Sequence, residues 1–172
     1  MRKIERILVA NRGVSAVRVM HTCRDLKIPT TAVYSTPDRL GHHVFMADEA
    51  VHIGEAPPAE SYLNMENIIR AAHASRSDAI HPGWGFLSEN ADFATMVKDA
   101  GLIWIGPPPD SIRNTGDKAR AREIARKAGV PNIPGMEGVQ TADEALEWVK
   151  KSGVSYPIMI KAASGGGGRG LV

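Results

Sequence analysis

Arg6-Ile-Leu-Val-Ala10, broken by Asn11-Arg12-Gly13, opens the stretch that decides the fold. Residues 6–10 form a short aliphatic run of the kind a parallel sheet buries on both faces. Ser15 then stands where an N-cap would be, and Val17, Met20, Cys23 and Leu26 recur at helical spacing. Residues 15–26 therefore read as an amphipathic helix. Pro29 separates that helix from Thr30-Thr-Ala-Val-Tyr34, a run rich in β-formers. Strand, helix and strand make a βαβ unit, whose crossover is right-handed in nearly all proteins.

Outward from this unit the alternation continues. Ala50 to Ile53 reads as a strand, and residues 64–74 read as a helix with Met65, Ile68, Ile69 and Ala72 on one face. Asp78 to His81 is a strand ended by Pro82-Gly83, Glu89 to Ala100 a helix stopped by Gly101, and Leu102-Ile-Trp-Ile105 a buried strand closed by Gly106 and three prolines. Strands alternating with helices predict an open, doubly wound, mostly parallel α/β domain over residues 1–113.

The pattern then changes. Asp117 to Ala128 is a highly charged helix that ends at Gly129, and Pro131 and Pro134-Gly135 mark a crossing between domains, so residues 114–135 read as a connecting helix and linker. Thr141 to Lys151 is a helix, with Thr141 as N-cap and Glu144 three residues on, the spacing of a capping box. Tyr156 to Ala163 reads as a strand feeding Ser164-Gly165-Gly166-Gly167-Gly168-Arg169-Gly170. That strand has no return partner in the sequence, so residues 136–172 read as the incomplete start of a second domain.

Composition narrows the classes. Hydrophobic residues make up 43% and charged residues 23%, as in a globular chain. A formal net charge of +2, with Lys and Arg interleaved among acids, does not suit a nucleic-acid binder. The single cysteine, Cys23, leaves no internal disulfide framework and fits both a reducing compartment and a place in the core. No apolar run approaches a membrane span, and residues 1–6 lack the features of a signal peptide, so a cytoplasmic protein is the expectation.

Two motifs carry chemistry. In Lys161-Ala-Ala-Ser-Gly165-Gly-Gly-Gly168-Arg169-Gly170, four glycines let backbone N–H groups approach an anion closely, while Lys161 and Arg169 supply positive charge. The lysine precedes the glycines, unlike in the P-loop, so a nucleotide site of another type is implied. Flexible linkers share the glycine content, but a flanking strand with an embedded lysine is unusual for one. The second motif, His81-Pro-Gly-Trp-Gly-Phe-Leu-Ser-Glu-Asn90, follows a strand and opens a helix that Ser88 can cap. Ligands of open α/β sheets bind at the carboxyl ends of strands, and two glycines around Trp84 would let backbone and ring face one. The alternative is a well-capped turn with Trp84 and Phe86 packed in the core.

Lesser signals are weighed the same way. Lys118, after Gly116-Asp117, stands in a first helical turn that the macrodipole reserves for anions, which hints at a ligand; a solvated side chain is the other reading. Asn11-Arg12-Gly13 has the place of a ligand-binding turn without the dinucleotide glycine pattern. His42-His43 and the other histidines show no metal-ligand spacing, so no metal site is expected within the chain.

Together these residues resemble biotin carboxylase, and the resemblance runs from Ile7 to Leu171. It is carried by residues 7–13, Ala47-Asp-Glu-Ala50, Glu60-Ser-Tyr-Leu-Asn64, the decapeptide at His81, Gly106-Pro107, Gly116-Asp-Lys118 and Lys161 to Gly170. Other ATP-grasp ligases share the architecture but not these strings. The resemblance implies an α/β N-terminal domain followed by an ATP-grasp fold. In it Lys118 and Lys161 would contact the phosphates of ATP, and Gly165, Gly166, Gly167 and Gly168, with Arg169 and Leu171, would close over them. The family phosphorylates bicarbonate with Mg²⁺ or Mn²⁺ and moves the carboxyl group to biotin on a carrier protein; Trp84 and Gly85 would stand beside the biotin pocket. Implied partners are a biotin carboxyl carrier domain or protein and a carboxyltransferase subunit, in a homodimer or larger assembly, with no nucleic acid or membrane. The complete enzyme would serve an acetyl-CoA, propionyl-CoA or pyruvate carboxylase, the first of these in fatty acid biosynthesis.

The sequence departs from the family pattern in three places. Trp84 stands where Tyr is usual, Val14-Ser15 where Glu-Ile is usual, and His21 where bacterial members often place an Arg in a dimer contact. The metal-binding carboxylates, the bicarbonate-binding arginine and the general base are expected beyond Val172, so the catalytic residues are not among these 172 and the chain alone is expected not to turn over. The alternative is a non-catalytic, truncated module that folds and engages biotin or a partner subunit.

Overall fold

The computed structural model describes residues 3–136 and 138–160, with Lys118 and Ala119 described by their backbone alone. The chain divides into two compact units between Ile112 and Arg113.

The first unit is a five-stranded sheet in the order β3-β2-β1-β4-β5. Its strands are β1 (Ile7–Val9), β2 (Thr30–Ser35), β3 (Glu49–Gly54), β4 (Ala79–His81) and β5 (Ile103–Trp104). Every pairing is parallel, with Ile7 beside both Thr30 and Ala79. The helices are α1 (Gly13–Asp25), α2 (His42–Met46), α3 (Met65–Ala74), α4 (Ala91–Asp99) and α5 (Pro109–Gly116), the last running across the division. Alternate strand residues feed two cores, as the pleat demands. Leu8, Val33 and Ile80 pack with α3 and α4 on one face. Ile7, Val9, Ala32 and Ala79 pack with Ala16, Met20 and Cys23 of α1 on the other. The sheet is therefore covered on both sides, the doubly wound α/β arrangement expected from the alternation.

Four local expectations are corrected. Ser15 does not cap α1: helical backbone begins at Gly13, Arg12 takes the extended N-cap conformation, and the Ser15 hydroxyl is used elsewhere. Leu26 is not on the buried face: α1 ends at Asp25, Lys27 adopts φ +58°, and Leu26 is left 63% exposed. Asn90, not Ser88, caps α4, because residues 86–89 form a 3₁₀ turn and Asn90 Oδ1 accepts the Phe93 N–H at 2.8 Å. The three prolines do not only end β5: Pro109 occupies the first position of α5, where its missing N–H costs nothing.

In the second unit, α6 (Lys118–Lys127) is capped by Asp117, whose Oδ1 accepts the Arg120 N–H at 3.0 Å. α7 (Ala142–Ser152) carries the expected capping box: Thr141 Oγ1 accepts the Glu144 N–H at 3.2 Å, and Glu144 Oε2 accepts the Thr141 N–H at 3.3 Å. Gly153 ends the helix at φ +72°. Tyr156 to Ile160 are not in a strand, since a strand exists only through a neighbour's hydrogen bonds and none is present among the described residues of this unit. The rest of that expected strand lies outside the described residues. Among the described residues, no helix is long and apolar enough to cross a membrane.

Candidate functional site

The strand order reverses between β1 and β4, which opens a crevice beyond their carboxyl ends. β1 delivers Asn11 and Arg12 to it, β2 delivers Ser35 and Asp38, and β4 delivers residues 81–86. A cavity of about 780 Å³ lies there, walled by Arg12, Val14, Arg18, His81, Trp84 and Phe86 among others.

The turn after β4 is held by side chains rather than by its own packing. Asn11, 3% exposed, donates from Nδ2 to the carbonyls of Pro82 at 2.8 Å and Trp84 at 2.9 Å. His81 Nδ1 accepts the Gly83 N–H at 3.0 Å, which places the proton of the neutral ring on Nε2. Ser15 Oγ accepts the Trp84 N–H at 3.0 Å. Gly83 and Gly85 take φ of +68° and +73°, a region that side chains disfavour. A Cβ on Gly83 would also lie 2.6 Å from Ser15 Oγ and 2.7 Å from Asn11 Nδ2. The result is a pinned loop that displays Trp84 82% exposed. Phe86 turns inward and stacks on Tyr62, with ring centroids 5.1 Å apart.

A polar cluster stands behind two lining residues, Arg12 and Phe86. Asp38 accepts from Tyr62 Oη at 2.8 Å, Ser35 Oγ at 2.9 Å and the Arg12 guanidinium at 2.9 Å. The Arg12 guanidinium carbon lies 5.6 Å from the Tyr62 ring centre and 6.0 Å from that of Phe86, within cation–π range. Burial works to raise the Asp38 carboxyl, but its bonds to Tyr62, Arg12 and Ser35 outweigh it and hold the group below its usual range. Burial, reinforced by the Asp38 charge, pushes the Tyr62 hydroxyl up to about 12, so it remains a donor. Burial alone pushes His81 below the usual imidazole range. Behind the cluster, His43 is 2% exposed, and its Nδ1 finds no partner.

The polar groups nearest the turn are thus committed to holding it, and what faces the cavity is largely apolar and aromatic surface. Such a surface suits a ligand with an apolar body, with the Arg12 and Arg18 guanidinium groups also in its lining. Of the residues anticipated from sequence, Trp84 and Gly85 lie here. Lys118 is the first residue of α6 with its side chain outside the described residues, and Lys161, Gly165, Gly166, Gly167, Gly168, Arg169 and Leu171 also lie outside them. Among the described residues, no group of His, Cys, Asp and Glu could hold a metal ion. Sequence reasoning missed Asp38 and Tyr62 as builders of the site and took Ser15 for an N-cap; it marked Asn11-Arg12-Gly13 by its place directly after β1.

Residues 3–112 match the biotin carboxylase N-terminal domain, and residues 117–172 match the ATP-binding domain of the carbamoyl-phosphate synthase L chain. The chain is 54% identical over 170 residues to a biotin carboxylase of Nostoc sp., covering 98% of this chain and 38% of that protein. It is also 54% identical over 170 residues to a biotin-dependent acyl-coenzyme A carboxylase alpha3 subunit of Mycobacterium leprae, covering 98% and 28%. A biotin carboxylase domain dimer of Hydrogenobacter thermophilus 2-oxoglutarate carboxylase, solved with MgADP, ADP and bicarbonate, superposes with a TM-score of 0.91 at 43% identity, over 100% of this chain and 38% of that one. A biotin carboxylase of Campylobacter jejuni, in complex with a βγ-ATP ligand, gives 0.92 at 40% identity, over 99% and 38%. The chain spans 28% to 38% of the length of the first curated relatives.

Proposed function

The chain belongs to the biotin carboxylase family, and from that premise we propose that the protein carboxylates biotin on a carrier protein at the expense of ATP and bicarbonate. Residues 1–113 form the N-terminal α/β domain, 114–135 the connection, and 136–172 the start of the ATP-grasp domain. Lys118, Lys161, Gly165 to Gly168, Arg169 and Leu171 serve the phosphates of ATP. That role suits their chemistry, since phosphoryl transfer is mostly positioning and charge neutralisation. Mg²⁺ or Mn²⁺ would neutralise those phosphates. The partners are a biotin carboxyl carrier and a carboxyltransferase, in a homodimer or larger assembly. The setting is cytoplasmic, and with acetyl-CoA as final acceptor the pathway is fatty acid biosynthesis.

One observation carries the reading of the described site: an exposed Trp84 on a pinned turn, beside a cavity of about 780 Å³ whose surface is largely apolar and aromatic, with Arg12 and Arg18 in its lining. The fused rings and thioether of biotin suit such a wall, and the turn's backbone offers polar groups at its edge. The test is the bicarbonate-dependent ATPase of the full-length protein with free biotin as the acceptor. Free biotin should accelerate ATP hydrolysis, and Trp84→Ala should raise the KM for biotin about tenfold, the worth of one aromatic contact, while leaving the KM for ATP within twofold. A rate indifferent to biotin would overturn the assignment.

A further inference from the structure

The two glycines that flank Trp84 give its backbone freedom, and the indole, 82% exposed, has little packing to restrict it. Its direction must come from the backbone. Both polar backbone groups of Trp84 are engaged: the carbonyl by Asn11 Nδ2 at 2.9 Å and the N–H by Ser15 Oγ at 3.0 Å. Two such bonds on one residue fix its Cα–Cβ direction, and with it the limited set of staggered positions the ring can reach. Asn11 also holds Pro82 and is buried, which makes it part of the fold. Ser15 is different. It is half-buried, lines the cavity itself, and spends its hydroxyl on the residue that carries the ring. It is not an N-cap, so no helix end requires that hydroxyl. Ser15 and Trp84 are 69 positions apart in sequence yet hydrogen-bonded in the structure.

We propose that Ser15 is a positioning residue for the acceptor: it sets the Trp84 ring against biotin, and the Ser15–Trp84 pair acts as one unit. The proposal rests on the reading of the cavity as the biotin pocket. Ser15 touches no reacting atom, so its removal loosens binding without slowing the chemical step.

The experiment is steady-state kinetics of the full-length enzyme with free biotin. Ser15→Ala should raise the KM for biotin about fivefold, the worth of one neutral hydrogen bond, while kcat at saturating biotin and the KM for ATP change less than twofold. Ser15→Thr, which keeps the acceptor oxygen, should hold the KM near the parent value, whereas Ser15→Val, of the same shape without it, should behave like Ser15→Ala. This second pair decides the matter if Ser15→Ala does not fold. In a Trp84→Ala background, Ser15→Ala should add nothing. If Trp84→Ala raises the KM for biotin but the Thr and Val variants at position 15 are equal, the role of Ser15 is overturned and the pocket stands. If Trp84→Ala leaves that KM unchanged, the pocket reading itself falls and takes the proposal with it.

Discussion

Tyr62 Oη donates to Asp38 Oδ2 across 2.8 Å and at the same time accepts the Ser35 N–H at 3.2 Å. One hydroxyl thus joins the segment before α3 to the end of β2. Through Asp38 it also reaches Arg12, which lies 2.9 Å from the same carboxylate oxygen. The contact thus stands behind Arg12 and, through the ring stack, Phe86, both of which line the cavity.

Replacing Tyr62 with Phe isolates that contact. The stack on Phe86 and the ring face under Arg12 survive, but Asp38 loses a donor and the Ser35 N–H loses this acceptor. Leaving buried polar groups short of partners costs about 1–3 kcal/mol. Urea unfolding of Tyr62→Phe should show a loss in that range with an unchanged denaturant slope. A loss within measurement error would mean that the hydroxyl bond contributes nothing net.

The pH dependence of stability has a definite sign. Burial pushes His43 below the usual imidazole range, partly offset by its contact with the Val33 carbonyl, and burial pushes His81 down likewise. A group whose folded value is depressed binds its proton more readily in the unfolded chain, so its contribution is complete above the unfolded value and is lost as pH falls through the folded one. For the histidines the loss begins below about pH 6.5. Asp38, held below its usual range, adds a further loss only below about pH 4. Unfolding free energy should therefore be flat from pH 8 to 7 and then fall by up to about 1.4 kcal/mol per pH unit for each imidazole. His43→Phe, which cannot titrate, should flatten the fall, measured as urea midpoints at pH 7.5 and 5.5. Equal falls in variant and parent would remove His43 from the account.

What the sequence made legible was local. The capping box of α7 could be read because Thr141 and Glu144 stand three residues apart, and Cys23 could be placed in the core because it shares a helical period with Met20. The reading of α1 misled at both of its ends. Leu26 continues the spacing of α1 but lies beyond the point where Lys27 reverses the chain, and Ser15 has the residue type of an N-cap inside a helix that has already begun. The site was legible only where its residues adjoin a strand end. Asp38 and Tyr62 depend on β2 lying beside β1, and Ser15 depends on β4 lying on the other side of it. Pairings of that kind leave no mark on neighbouring residues.

Asn11 gives a sharper test of the turn. Asn11→Ala leaves the Pro82 and Trp84 carbonyls without their donor and opens a small void, at a cost of about 2–3 kcal/mol. Asn11→Asp preserves shape but points a carboxylate oxygen at two carbonyl oxygens formerly 2.8 and 2.9 Å from a donor. At pH 7 it should destabilise at least as much as the alanine, and lowering the pH toward 4 should narrow the difference as the carboxyl is protonated. Urea midpoints of the two variants at both pH values decide it; an aspartate variant as stable as the parent would contradict the bridge.

Gly83 and Gly85 share a left-handed backbone but not their surroundings, and that difference yields the last prediction. Gly85→Ala meets nothing within 4 Å, so it bears only the conformational cost of φ +73°, about 1–2 kcal/mol. Gly83→Ala bears a similar cost at φ +68° and also drives its methyl into the Ser15 hydroxyl and the Asn11 amide, the two groups that hold Trp84. Relief requires one of those hydrogen bonds to break. Gly83→Ala should therefore lose more stability than Gly85→Ala by at least the value of one bond, about 1 kcal/mol. It should also raise the KM for biotin in the full-length enzyme more than Gly85→Ala does. Equal losses at the two glycines would mean that the turn has room to shift, and that Ser15 and Asn11 do not grip it as tightly as their distances imply.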